Sequence, residues 1–114
     1  MKLIIAIVQP EELPDIKEEL LKRKIYKFTV SSAKGQGKEI PVQEVYRGIA
    51  HEISLLTKIR LEIAVNDDYL DKAIEAITVV AKKPDNKGRG KIFILPIEQC
   101  IRIRTGEKGA DAIG

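Results

Sequence analysis

The chain opens on a nearly unbroken apolar run, Lys2-Leu-Ile-Ile-Ala-Ile-Val8, followed closely by Pro10. A short continuous run of this kind predicts a central strand buried on both faces. From Glu11 to Lys24 the period lengthens. Leu13, Ile16, Leu20 and Leu21 recur at helical spacing, with Lys and Glu on the other side. Pro14 falls in the first turn, where a missing N–H costs little. Glu11, Glu12 and Asp15 gather at the N-terminal end and Lys22, Arg23 and Lys24 at the C-terminal end, as the helix dipole favours. Ile25 to Ser32 alternates and carries β-branched and aromatic residues, which predicts a strand. Pairing is expected to loosen at Lys34-Gly-Gln-Gly37.

Residues 37–57 hold no sustained period and include Pro41 and Gly48. They predict one loop of about twenty residues, a length that in a compact domain is usually functional or disordered. Lys58 to Asn66 then alternates cleanly: Ile59, Leu61, Ile63 and Val65 face one way, Lys58, Arg60, Glu62 and Ala64 the other. Asp67 or Asp68 is expected to cap a second helix, with Asp71 returning a bond as in a capping box. Leu70, Ala73, Ile74, Ile77, Val80 and Ala81 form its apolar stripe. The basic, glycine-bearing stretch from Lys82 to Lys91 ends it. Ile92 to Ile97 predicts the last full strand, Gln99 to Arg104 a short extra one, and Thr105 to Gly114 a polar tail.

The order βαβ–long loop–βαβ predicts an α+β, ferredoxin-like double βαβ, a four-stranded antiparallel sheet with two helices on one face. The other face would expose apolar area, which a small domain usually hides by self-association.

At 114 residues the length predicts a single domain spanning residues 1–114. Ile alone occurs 18 times, and Ile, Leu, Val and Phe together make up about 32% of the chain, enough for a real core. One cysteine, Cys100, cannot form an internal disulfide, which excludes a stapled secreted scaffold. The N-terminal apolar run is too short for a membrane span or a signal peptide, so a soluble, cytoplasmic protein is expected. Lys and Arg number 20 against 17 Asp and Glu, and the mild net charge of +3 does not by itself call for nucleic acid.

Candidate chemistry is unevenly distributed. His51 is the only histidine and neither it nor Cys100 sits in metal-ligand spacing. His51 reads as a solvated loop residue, Cys100 as a small core or interface hydrophobe. No general base stands out beyond surface carboxylates, so the chain does not read as an enzyme. Phosphate binding is better supported. Lys87-Gly-Arg-Gly-Lys91 puts three cations beside two glycines, whose backbone lets N–H groups approach phosphate oxygens closely. Arg102 and Arg104, two apart on a segment read as extended, would share a face and could clamp a polyphosphate. Gly35 and Gly37 beside Lys38 could form another wall. The plainer alternative is a solvated basic turn with surface arginines. RNA-recognition modules share the fold, but they stack bases on aromatics where Ile92-Phe-Ile-Leu and Lys2-Leu-Ile-Ile are mostly aliphatic.

Several motifs in order resemble the PII nitrogen-regulatory signal-transduction proteins: Lys34-Gly-x-Gly37, Tyr46-Arg-Gly48, Lys58-Ile-x-Leu-Glu-Ile63, Gly88-x-Gly-Lys-Ile-Phe93, and Arg102-Ile-Arg-Thr-Gly-Glu107 with Ala112-Ile113. The resemblance implies a non-catalytic regulator, a cytoplasmic homotrimer of ferredoxin-like subunits that binds ATP or ADP in clefts between neighbours. By motif, Gly35, Gly37 and Lys38 would lie along the nucleotide and Thr29 and Ala64 near the base. Gly88, Arg89, Gly90 and Lys91 (in the B-loop, residues 82–91) would hold phosphates, with Arg102 and Arg104 (in the C-terminal segment, residues 99–114) reaching them from the adjacent subunit. Residues 37–57 would be the T-loop, which engages a target enzyme or an ammonium transporter, the only implied route to a membrane, through Tyr46, Arg47 and Gly48. Glu39 could ligate Mg²⁺ and, with Lys58, face an effector.

Departures from the family pattern also carry expectations. His51 stands where uridylylated relatives have a tyrosine, so that modification is not expected. Relatives that bind 2-oxoglutarate carry Gln at the position of Glu39. A carboxylate there would repel a dicarboxylate, and Pro41 removes a backbone donor. A weakened or lost 2-oxoglutarate response is expected. The alternative function is a ferredoxin-like small-molecule sensing module of another pathway without nucleotide binding.

Overall fold

The computed structural model describes residues 1–36, 45–46, 49–50, 55–84 and 89–114. The strand β1 (Lys2–Val8) leads through a single 3₁₀ turn, Pro10–Glu12, into helix α1 (Leu13–Lys22) and then β2 (Thr29–Gly35). The short strands β3 (Val45–Tyr46) and β4 (Ile49–Ala50) pair antiparallel. β5 (Leu56–Val65), α2 (Asp67–Ala81), β6 (Lys91–Pro96) and a single-turn helix, α3 (Ala110–Ile113), complete the chain. The main sheet runs β2-β5-β1-β6 with every neighbouring pair antiparallel. This is the ferredoxin-like α+β arrangement expected from the βαβ–βαβ order. Among the described residues no helix is long and apolar enough to cross a membrane.

Cross-strand register assigns the two faces. Ile4 lies opposite Ile63 and Ile94, and Ala6 opposite Leu61 and Ile92. Ile4, Ala6, Leu61 and Ile63 of this row pack beneath the helices with Val8, Val65, Ile16 and Leu20 of α1, and Ala73, Ala76 and Ile77 of α2; Ile92 is partly buried against them, and Ile94 on the edge strand is exposed. The alternation read in Lys58 to Asn66 holds in β5 from Arg60 to Val65, whereas Lys58, read onto the polar side, is buried and Ile59 only half-buried. β1 differs from expectation: Ile4, Ala6 and Val8 are buried, whereas Leu3, Ile5 and Ile7 are only half-buried. Both helices lie on one side, so only that face of β1 is fully covered.

Other elements differ in detail. The strand expected at Ile25 to Ser32 begins at Thr29 and runs to Gly35. Lys24, at φ 62°, turns the chain out of α1, and Ile25 donates its N–H to the Leu20 carbonyl at 2.9 Å. Ile25 thus drops into the core as the end of the helix rather than the start of the strand. Lys34 and Gly35 do not loosen; they pair with Thr57 and Leu56, and Lys34 Nζ donates to Thr57 Oγ1 at 2.7 Å. The segment read as one loop over 37–57 therefore ends earlier and contains the β3–β4 ribbon. Leu21, assigned to the apolar stripe of α1, is exposed, because Ile16 and Leu20 already fill the contact with the sheet.

Capping also differs. Asn66 occupies the N-cap of α2 without a side-chain capping bond, and Asp67 accepts from the Met1 ammonium at 2.9 Å instead. The reciprocal arrangement appears before α1, where Glu12 Oε1 accepts from the Gln9 N–H at 2.8 Å and the Glu12 N–H donates to the Gln9 carbonyl at 3.0 Å. Glu12 is 4% exposed, so this acid acts through a buried hydrogen bond more than through the helix dipole. The last strand is shifted by one residue, to Lys91–Pro96. Beyond it, residues 99–104 do not form another strand. A turn over 103–105 returns the chain so that Ile101 bridges Lys108. The tail thus folds back and ends in α3.

Candidate functional site

A cleft of about 450 Å³ opens where the last turn of α2 meets the ends of β1 and β6. Ile7 and Val8 form its floor, Ile77, Thr78 and Ala81 one wall, and Lys82, Lys83, Arg89, Gly90 and Lys91 its rim. These lining residues include four cations and no carboxylate, so the local field favours an anion. Lys83 is partly committed. Its Nζ donates to the Val80 carbonyl at 3.1 Å and lies 3.6 Å from Glu12 Oε2.

Gly90 shows why the sequence bends here. Its φ is 108°, and a Cβ at this position would lie 2.2 Å from the Ile7 carbonyl oxygen. Only a residue without a side chain lets the two backbones approach this closely. Gly90 is thereby set against the end of β1, and Lys91 enters β6 opposite Ile7. Ile7 is also opposite Arg60, so Arg60 and Lys91 flank it on the uncovered sheet face. Arg60 Nε is held by Glu62 Oε1 at 2.9 Å.

A larger hollow, about 510 Å³, lies on the outward side of α2 around Ile74, Glu75 and Val79. Its charged groups do not converge, and Glu75 faces Arg23 at 3.7 Å. The cationic cleft is the better candidate for chemistry.

A family model described as nitrogen regulatory protein P-II matches residues 1–107. The chain belongs to the P-II family. P-II relatives match along its whole length. Nitrogen regulatory protein GlnK1 of Methanosarcina mazei is 48% identical over 114 residues, covering 99% of this chain and 97% of its own. Nitrogen regulatory protein P-II of Cereibacter sphaeroides is 44% identical over 113 residues, covering 99% and 100%. Nitrogen regulatory protein P-II 1 of Methanothermobacter thermautotrophicus is 42% identical over 113 residues, covering 99% and 97%. The P-II resemblance read from the ordered motifs is borne out, and it makes this a protein of nitrogen-regulatory signalling.

The P-II motif residues fall at several places in the fold. Arg89, Gly90 and Lys91 come together at the cleft. Gly35 and Lys58 share the same end of the sheet; a Cβ on Gly35 would sit 3.5 Å from Lys58 Cγ, and Lys58 is buried. Thr29 pairs with Glu62 at the start of β2. Ala64 lines a separate hollow of about 360 Å³ with Tyr26, Tyr69 and Ile113. Gly37, Lys38, Glu39, Pro41, Arg47, Gly48, His51 and Gly88 lie outside the described residues, and of Tyr46 only its backbone pairing in β3 is described.

Arg102 and Arg104 require a correction. They do not project together from an extended strand. Arg102 opens a turn closed by a 2.7 Å hydrogen bond from the Gly106 N–H to its carbonyl, and Arg104 stands exposed on that turn. Gly106, at φ 74°, lets the chain reverse. Lys82 and Lys83 were not singled out from the sequence as site residues. Their signal, a cation pair opening the same basic stretch that carries Arg89, is common on surfaces, and the structure sets both at the rim with Arg89. Among the described residues no cluster of three acidic, histidine or cysteine side chains is placed to hold a metal.

Proposed function

We propose that this protein is a non-catalytic signal-transduction regulator that binds ATP or ADP. The carrying observation is the cationic cleft, whose described lining residues include no carboxylate and where Gly90 is set against Ile7. Its donor set fits a polyphosphate: Lys82, Arg89 and Lys91 supply charge, and the glycine-bearing backbone admits close approach. Gly35, Gly37, Lys38, Thr29 and Ala64 would hold the remainder of the nucleotide, with Gly88 extending the phosphate loop. Mg²⁺, when bound with the nucleotide, would supply charge neutralisation, and Glu39 is the carboxylate we assign to it.

The protein is further proposed to be a cytoplasmic homotrimer. Leu3, Ile5, Phe93 and Leu95 share the uncovered sheet face by register, and a second copy would remove them from water. Arg102 and Arg104 would then approach the phosphates of a neighbouring subunit. Residues 37–55 would transmit ligand state to a target enzyme or transporter through Tyr46, Arg47 and Gly48. The β2 and β5 ends that root this segment lie at the same end of the sheet as the cleft. A ligand contacting that root in one conformation only would shift the population towards it.

Calorimetric titration tests the reading. Lys91→Ala should weaken ATP binding at least about tenfold, since charge-assisted bonds contribute roughly 1.5–3 kcal/mol, while the particle mass is retained. Unchanged affinity would refute the phosphate assignment. With Mg-ATP present, 2-oxoglutarate should bind weakly or not at all, because Glu39 places a negative charge at the expected effector site; micromolar binding would contradict that part.

A further inference from the structure

The C-terminal tail is held by an arginine that the proposed function also assigns to phosphate. Arg102 Nη1 lies 3.3 Å from Glu107 Oε1, and Nη2 reaches the carbonyls of Asp111 at 3.1 Å and Ala112 at 3.5 Å. Further anchors are backbone bonds, such as Gly109 N–H to the Cys100 carbonyl at 2.9 Å, and one side-chain bond, in which Asn66 Nδ2 donates to the Ala110 carbonyl at 3.1 Å. α3 buries no residue. With little apolar burial, the tail is closed mainly by polar contacts. Segments held this way open at small free-energy cost.

We propose that Arg102 is a shared donor: engaging a polyphosphate and clasping the tail compete for it, and Glu107 acts as the internal competing anion. This rests on the reading of Arg102 as a phosphate ligand. A guanidinium has five N–H donors in a fixed plane, and three contacts already go to the tail. A phosphate is a stronger acceptor than the two carbonyls, and it bears the same sign as the Glu107 carboxylate it would displace. Nucleotide binding therefore loosens residues 107–114, and a loosened tail makes Arg102 more available. The two effects are linked reciprocally. Glu107 is a positioning residue in this scheme, since it acts only through Arg102.

The test combines amide hydrogen exchange of residues 107–114 with ATP titration, on the full chain and on Glu107→Gln. That substitution keeps size and an acceptor oxygen but removes the charge. In the parent chain, saturating Mg-ATP should speed tail exchange. In Glu107→Gln the tail should exchange faster without ligand, and ATP should bind about two- to fivefold tighter, the range for an exposed ion pair. If ATP binds but the tail exchanges at the same rate or more slowly, or if Glu107→Gln leaves affinity unchanged or weaker, the clasp is refuted alone. If the parent chain binds no ATP, the phosphate reading of the cleft fails and the clasp with it.

Discussion

Gly90 joins sequence to site most directly. A glycine between two cations was legible as a phosphate-loop signature, but its necessity comes from the Ile7 carbonyl on a distant strand. Gly90→Ala meets backbone rather than a yielding side chain, and it also strains a φ of 108°. Left-handed strain and steric overlap each cost on the order of 1–3 kcal/mol. The variant should therefore unfold at a markedly lower urea midpoint and lose ATP affinity; a midpoint within error of the parent would show that the loop relaxes freely. Glu12 teaches the converse. Its acidity suggested a dipole role, yet the fold buries it and uses it as an acceptor for Gln9, which no local pattern announces.

Helices and strands were recognisable wherever one face is buried. The stripes of α1 and α2 and the alternation in β5 follow from that single requirement. Boundaries shifted where a residue packs without pairing, as Ile25 does. The ends of α1 carry ion pairs as well as dipole charges. Glu19 is hydrogen-bonded by Arg23, chiefly, and by Lys22, and these cations hold its carboxyl below the ordinary glutamate value. A depressed folded pKa adds stability that is present above the unfolded value, and it is lost as pH falls through the folded one. Glu19→Gln should therefore lower the urea midpoint at pH 7, and the difference should close as pH drops below 4.5, the ordinary glutamate value. A difference that stays constant with pH would dismiss the ion pair as its source. Element type could not reveal the β3–β4 ribbon inside the long loop, because each strand is only two residues and shows no period.

For the molecule as a whole, the uncovered sheet face is the dominant feature. Phe93 and Leu95 are 49% and 42% exposed, and they continue the row of Leu3 and Ile5. Phe93→Asp would set a charge in the centre of a face proposed to meet a second copy, where an unpaired buried charge is strongly unfavourable. Light scattering should then find a monomer with a folded circular-dichroism spectrum. A trimeric Phe93→Asp, or a monomeric parent chain, would oppose the assembly.

Hydrophobic period, glycine placement and motif order were sufficient for the α+β class, the order of the four main strands and two main helices, and membership in the P-II family. Those features depend on neighbours along the chain, whose spacing decides which side of an element can be buried. Residue spacing could not reveal that Gly90 rests on Ile7, that Lys82 and Lys83 join Arg89 at one rim, or that Arg102 turns back to hold the tail. The first is a meeting of segments remote in the chain, produced when the sheet pairs; the other two join residues about five to ten apart, and spacing alone does not say how the chain bends between them.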